Sequence, residues 1–171
     1  IRSLDIYFQK ETYKGHPLVA CDGTDLGLPM EQGNTVYNCR RRKNQKDYFQ
    51  IHANAMYDLV NRRYLDIVTE PKKENNERKA FMTMLGRGNF QEGTIFVMDR
   101  GYEGYGIAGA IHFKGMFYVI RAKDGTDGGI ARGFGLPRTG EYDITFTRAF
   151  TSRHNADVSS HPEIYHRIHR S

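Results

Sequence analysis

The chain has 171 residues, enough for one domain with a sizeable core and little room for a second. Hydrophobic residues make up 39% and charged residues 26%, which excludes an intrinsically disordered chain. A formal net charge of +5 permits a polyanionic partner without requiring one.

No apolar run approaches the ~20 residues of a membrane span, and no signal peptide opens the chain. Cys21 and Cys39, the two cysteines, have a spacing that suits neither a zinc site nor a disulfide framework. A reducing cytoplasm is the simplest setting. The first residue is Ile1 rather than Met, which fits a piece cut from a longer protein.

Residues 1–15 form a lead-in with no clean period. His16–Thr24 (HPLVACDGT) is a short apolar run ending in Asp-Gly, the pattern of a buried strand entering a turn. A loop rich in Gly, Pro and Asn follows from Asp25 to Asn38, and then a basic cluster of Arg40, Arg41, Arg42, Lys43 and Lys46. Tyr48–Leu59 alternates. Phe49, Ile51, Ala53, Ala55, Tyr57 and Leu59 share one face, expected on the core; Tyr48, Gln50, His52, Asn54, Met56 and Asp58 share the polar one. Asn61-Arg62 is a candidate turn into a second strand, Tyr64–Val68, ended by Pro71.

Asn76 is placed to cap a helix with Glu77 in its first turn and Phe81, Met84 and Leu85 at helical spacing; Gly86 and Gly88 stop it. Thr94–Asp99 (TIFVMD) reads as a strand covered on both faces. Tyr105, Ala108, Ile111 and His112 suit a second helix, Gly115 its C′ position, and Met116–Ala122 a last strand. A strand, a hairpin, then helix, strand, helix, strand describes an α/β mixed sheet with flanking helices, the element order of the ribonuclease H-like fold. The expected domain plan is a lead-in over 1–15, a partial core over 16–123, and over 124–171 either the start of a β-rich insertion or a mobile tail.

Asp22 and Asp99 each close an apolar strand. A carboxylate there must be solvated, paired or metal-bound, because burying it alone is costly. If the strands are parallel neighbours, ~4.8 Å apart, the two acids can share a cation, as in two-metal phosphoryl transfer. Hard oxygen ligands favour Mg²⁺, with Mn²⁺ as substitute. A plain turn-former or helix-cap role for each Asp stays open at this point.

The segments LVACDGTDLGLP (Leu18–Pro29), YFQIHANAMYDLVNRRYLD (Tyr48–Asp66) and TIFVMDRGYEGYGIAGAIHFKGMFYVIRAKD (Thr94–Asp124) resemble bacterial insertion-sequence transposases of the DDE class. Within that class they are similar to the cut-and-paste group with a β-rich insertion in the catalytic domain. The resemblance implies that Asp22 and Asp99 are the first two catalytic and metal-binding acids of the triad. It further implies hydrolysis at the transposon end, then attack by the freed 3′-OH, with DNA as partner and a homodimer as the working unit.

The family's third acid, a Glu in a Tyr–Arg–Glu–Lys signature, has no match here. Glu141 and Glu163 lack the expected neighbours. The isolated chain is therefore expected to be incomplete and to cleave DNA poorly.

Further candidates are weighed against plain structural roles. His52 and Asn54 either border the site, positioning a phosphate or an acid, or are solvent-facing strand residues. Arg40, Arg41, Arg42 and Lys43 either grip the DNA backbone or form a solvated loop. Arg100 and Tyr102 either orient Asp99 and meet DNA or pack a helix start, and Arg121 either meets a phosphate or forms a surface ion pair. His154, His161, His166 and His169 fit no zinc spacing. The alternatives to a transposase are a nuclease of the same fold, which leaves only hydrolysed ends, and a non-catalytic DNA-binding remnant.

Overall fold

The computed structural model describes residues 11–31, 33–39, 44, 46–123, 129–131, 136–137 and 139–145. The basic cluster 40–43 and the four C-terminal histidines lie outside the described residues. A five-stranded sheet runs in the spatial order β3-β2-β1-β4-β5. Its strands are β1 (Leu18–Leu28), β2 (Phe49–Asp58), β3 (Arg63–Pro71), β4 (Ile95–Met98) and β5 (Phe117–Ile120). β1, β2 and β3 pair antiparallel, while β4 and β5 run parallel to β1. Two helices, α1 (Glu77–Arg87) and α2 (Tyr105–Phe113), supply the crossovers between the parallel strands.

Local chemistry explains the boundaries. Arg62, at φ 54°, makes the left-handed step between β2 and β3, and Asp58 ties down that turn by accepting from the backbone N–H groups of Val60 and Asn61. Asn76 caps α1 by accepting from the Lys79 N–H at 3.0 Å, a contact worth about 1 kcal/mol. Gly115 takes φ 67° just after α2, where a side chain would be strained. Asp66 on β3 makes a two-point pair with Arg87 in the last turn of α1, at 2.7 and 2.6 Å, pinning the helix across the sheet edge.

Both helices contribute to one core. Phe81, Met84 and Leu85 of α1 and Ile107, Ala110 and Ile111 of α2 join Val19, Cys21, Met56, Phe96 and Met98 of the sheet. Phe81 sits edge-to-face with Phe96 and Tyr102 at centroid distances of 5.4 and 6.1 Å. Burying each such side chain contributes roughly 1.5–3 kcal/mol.

Three expectations need correction. β1 does not turn at Asp22-Gly23 but continues to Leu28, because β2 keeps pairing with it through Leu28↔Phe49. The faces of β2 are also reversed relative to the helices. His52, Asn54, Met56 and Asp58, expected on the polar face, are buried. Met56 pairs with Cys21 in register and joins the core. Of the residues expected on the core, Phe49 and Ala53 are buried, Ile51, Ala55 and Tyr57 are half-buried on the face that the described helices leave open, and Leu59 is exposed. Across that open face, Leu26, Ile67, Phe117 and Val119 are exposed. β4 is accordingly covered on one side only among the described residues: Phe96 is fully buried and Val97 half-buried.

Candidate active site

The parallel pairing of β1 with β4 ends at Cys21↔Met98. Asp22 and Asp99 are the next residue on each strand. Their backbones are therefore neighbours across about one strand spacing, ~4.8 Å. The pairing of β4 with β5 ends likewise at Met98↔Ile120, which sets Arg121 beside Asp99. Arg121 donates its backbone N–H to Met98 at 3.2 Å and is exposed. A row of Asp22, Asp99 and Arg121 thus crosses the sheet where its three parallel strands stop pairing.

Each aspartate is exposed and has one oxygen committed locally. Asp22 Oδ1 accepts from the Gly23 N–H at 2.9 Å; Asp99 Oδ1 caps the 3₁₀ turn Arg100–Tyr102, accepting from the Gly101 N–H at 2.7 Å. These bonds fix the carboxylates and leave the second oxygen of each available. Two exposed, pre-aimed carboxylates on adjacent strands are a hard donor set suited to Mg²⁺ or Mn²⁺. As the side chains stand, no three His, Cys, Asp or Glu among the described residues are close enough together to hold an ion.

His52, Asn54 and Tyr102 support this row from beneath. His52 Nδ1 lies 2.6 Å from Asp25 Oδ1, and Lys72 Nζ lies 2.7 Å from Asp25 Oδ2. The His52 hydrogen bond and then Lys72 hold the Asp25 carboxyl below the usual carboxylate range. The His52 ring and the Asn54 amide lie against Gly23, where an added Cβ would fall 2.5 Å from His52 Nε2 and 3.0 Å from Asn54 Oδ1. The backbone following Asp22 is therefore seated directly on these two side chains. Solvent-facing positions for His52 and Asn54, one of the two expectations for them, are not found, because α1 covers that face.

Tyr102 is fully buried, donating its hydroxyl to Asn54 Oδ1 at 3.3 Å. It packs the start of the turn after Asp99 and presents no surface to DNA. Burial pushes the neighbouring Cys21 thiol up to about 12, and raises the Tyr102 phenol as well. Arg100 is exposed next to Asp99.

Three side chains escaped the sequence reading. Asp25, expected in a loop, lies on β1 opposite His52 because the strand runs on to Leu28. Glu77 read only as a first-turn helix residue, yet its carboxylate reaches His52 at 3.6 Å. Glu103, four residues after Asp99, is buried and accepts from the backbone N–H groups of Lys123 and Ile130. It ties the segment after β5 to the turn that carries Asp99. No spacing in the sequence signals any of the three.

A ribonuclease H-like α/β sheet with two acids on adjacent parallel strands defines a class of phosphoryl-transfer domains. The family described as transposase DDE domain matches residues 13–167. The chain belongs to that family, a family of transposases, which makes DNA its partner. No curated protein and no solved structure matches the chain. No helix among the described residues is long and apolar enough to cross a membrane.

Proposed function

We propose that Asp22 and Asp99 are the metal-binding catalytic acids of a Mg²⁺-dependent DNA transposase domain that cleaves transposon ends and joins the 3′-OH to target DNA. One observation carries this reading: the register sets the two acids side by side, each with an uncommitted oxygen. Bound Mg²⁺, or Mn²⁺ in its place, would activate the attacking oxygen and stabilise charge on the phosphate.

The chain's own residues do the rest. The backbone N–H groups of Gly23, in β1, and Gly101, in the turn after Asp99, aim the carboxylates. His52 and Asn54 support the backbone after Asp22. Arg121 and Arg100, flanking Asp99 on the exposed end, supply positive charge for the DNA backbone, joined by Arg40, Arg41, Arg42 and Lys43. Glu103 anchors the chain after β5 by accepting from the backbone N–H groups of Lys123 and Ile130.

The sequence has no glutamate in a Tyr–Arg–Glu–Lys setting, so the chain by itself cleaves DNA poorly. The working protein acts as a homodimer on paired transposon ends in the bacterial nucleoid.

Crystals of the chain soaked in Mn²⁺ test the assignment through anomalous scattering. A peak within bonding distance of both Asp22 and Asp99 is expected, and its loss in Asp22→Asn. A saturating soak that leaves both aspartates free of any peak refutes the assignment. With active protein, joined 3′-OH products mark a transposase, whereas hydrolysed ends alone mark a nuclease.

A further inference from the structure

A recess opens beside the strand that carries Asp22. It has a volume of about 330 Å³ and is lined by Asp25, Cys39, Tyr48, Gln50, Lys72 and Lys73. Three elements meet there: β1 supplies Asp25, β2 supplies Gln50, and the turn Lys72–Glu74 after β3 supplies both lysines. Asp25 lies three residues past Asp22 on β1, roughly 10 Å along the strand.

The chemistry of the walls is one-sided. Both Asp25 oxygens are occupied, one by His52 Nδ1 at 2.6 Å and the other by Lys72 Nζ at 2.7 Å. Two ammonium groups against one carboxylate leave an excess of positive charge. Lys73 is exposed and makes no ion pair among the described residues. The side chains of Gln50 and Tyr48, both half-buried, likewise make no hydrogen bond among the described residues. Glu74, the acid of the same turn, does not line the recess. Unused donors from four side chains therefore converge, which suits an anion with several acceptor oxygens.

The surrounding chain adds to that charge. The Cys39 N–H donates to the Tyr48 carbonyl at 2.8 Å, so the residues between them start and end in the recess wall. They carry Arg40, Arg41, Arg42, Lys43 and Lys46 against the single acid Asp47. These residues are not part of the recess, but their field draws a polyanion toward it.

We propose that the recess seats one backbone phosphate of the bound DNA, held by Lys72, Lys73, Gln50 and Tyr48. At about 3.4 Å per nucleotide of one strand, it lies about three nucleotides from a phosphate at Asp22. That placement rests on the reading of Asp22 and Asp99 as the catalytic acids. Such a contact fixes the register of the DNA on the domain and carries no sequence information. The plainer role, a hydrated polar recess, gives Gln50 no effect on DNA binding.

Fluorescence anisotropy of the full chain on two duplexes of unrelated sequence, across a salt series, separates the two roles. Lys73→Ala is expected to reduce the slope of log affinity against log salt by about one, which is about tenfold weaker binding at low salt. Lys73→Arg keeps the parental slope. Gln50→Leu, which removes the donor at similar size, weakens binding about fivefold and leaves the slope unchanged. Lys114→Ala, an exposed lysine between α2 and β5, binds like the parent.

A parental slope in Lys73→Ala overturns the proposal. So does parental affinity in Gln50→Leu beside a weakened Lys73→Ala, since the lysine then acts only through its field. Weakening on one of the two sequences alone places a base edge in the recess and overturns the phosphate. Calorimetry with inorganic phosphate tests for a free anion instead. Phosphate binding that Lys73→Ala abolishes, with DNA binding parental in every variant, overturns the DNA contact, and a parent that binds neither duplex does the same. Circular dichroism melts check that each variant folds, and the exposed Lys73 decides the matter if Gln50→Leu does not. The Mn²⁺ soak reads the aspartates separately, so either reading can fail alone.

Discussion

Gly23→Ala perturbs the support of the site at its tightest point. The new methyl group would sit 2.5 Å from His52 Nε2 and 3.0 Å from both His52 Cε1 and Asn54 Oδ1. Carbon contacts are comfortable near 3.5–4.0 Å, so about 1 Å must be found. His52 cannot yield cheaply, since its ring is buried and held to Asp25 at 2.6 Å. Asn54 is held by Tyr102.

Overpacking of this kind costs about 1–3 kcal/mol, and the stiffer unfolded chain returns about 0.4–1 kcal/mol. The net loss is about 1–2 kcal/mol, a drop of roughly 0.5–1 M in the urea midpoint with the slope unchanged. In a His52→Ala background the ring is gone and the same methyl group has room. There the penalty vanishes, giving a coupling of about 1–2 kcal/mol in a double-mutant cycle. Equal urea midpoints for Gly23→Ala and the parent, or the same penalty in both backgrounds, would refute this account of how Asp22 is seated.

Two other outcomes follow from the same geometry. Arg121→Ala removes one phosphate contact if Arg121 lies along the DNA path; a plot of log affinity against log salt, from fluorescence anisotropy, then loses about one unit of slope. An unchanged slope takes Arg121 off that path. Stability should also fall above about pH 9, because the unfolded Cys21 thiol ionises near 9 while the folded one keeps its proton to about 12. On the acid side, Asp25 and Asp66 titrate below their ordinary 3.8 in the fold, so their contribution is present above that value and lost as pH falls through the depressed one. Urea midpoints measured from pH 3 to 11 check both limbs, and a midpoint still rising above pH 10 would contradict the thiol argument.

The sequence alone determined the elements and their order. Period-two alternation in Tyr48–Leu59, the Asn76 cap, the apolar run before Asp99 and Gly115 after α2 all act through neighbours a few residues away, so they can be read without the fold. The two aspartates stood out for the same reason, each closing an apolar run. What tertiary structure decided was sidedness and adjacency. Alternation shows that β2 has two faces but not which one the helices cover. That depended on where α1 and α2 packed, and it buried His52 and Asn54.

Only the sheet register brought Asp22, Asp99 and Arg121 into one row, since hydrogen bonds between strands distant in sequence set it. Glu77 took its place beside the site for a similar reason: α1 crosses the face that carries His52. Contacts spanning 25 residues or more leave no periodic trace in the chain, so packing alone reveals them.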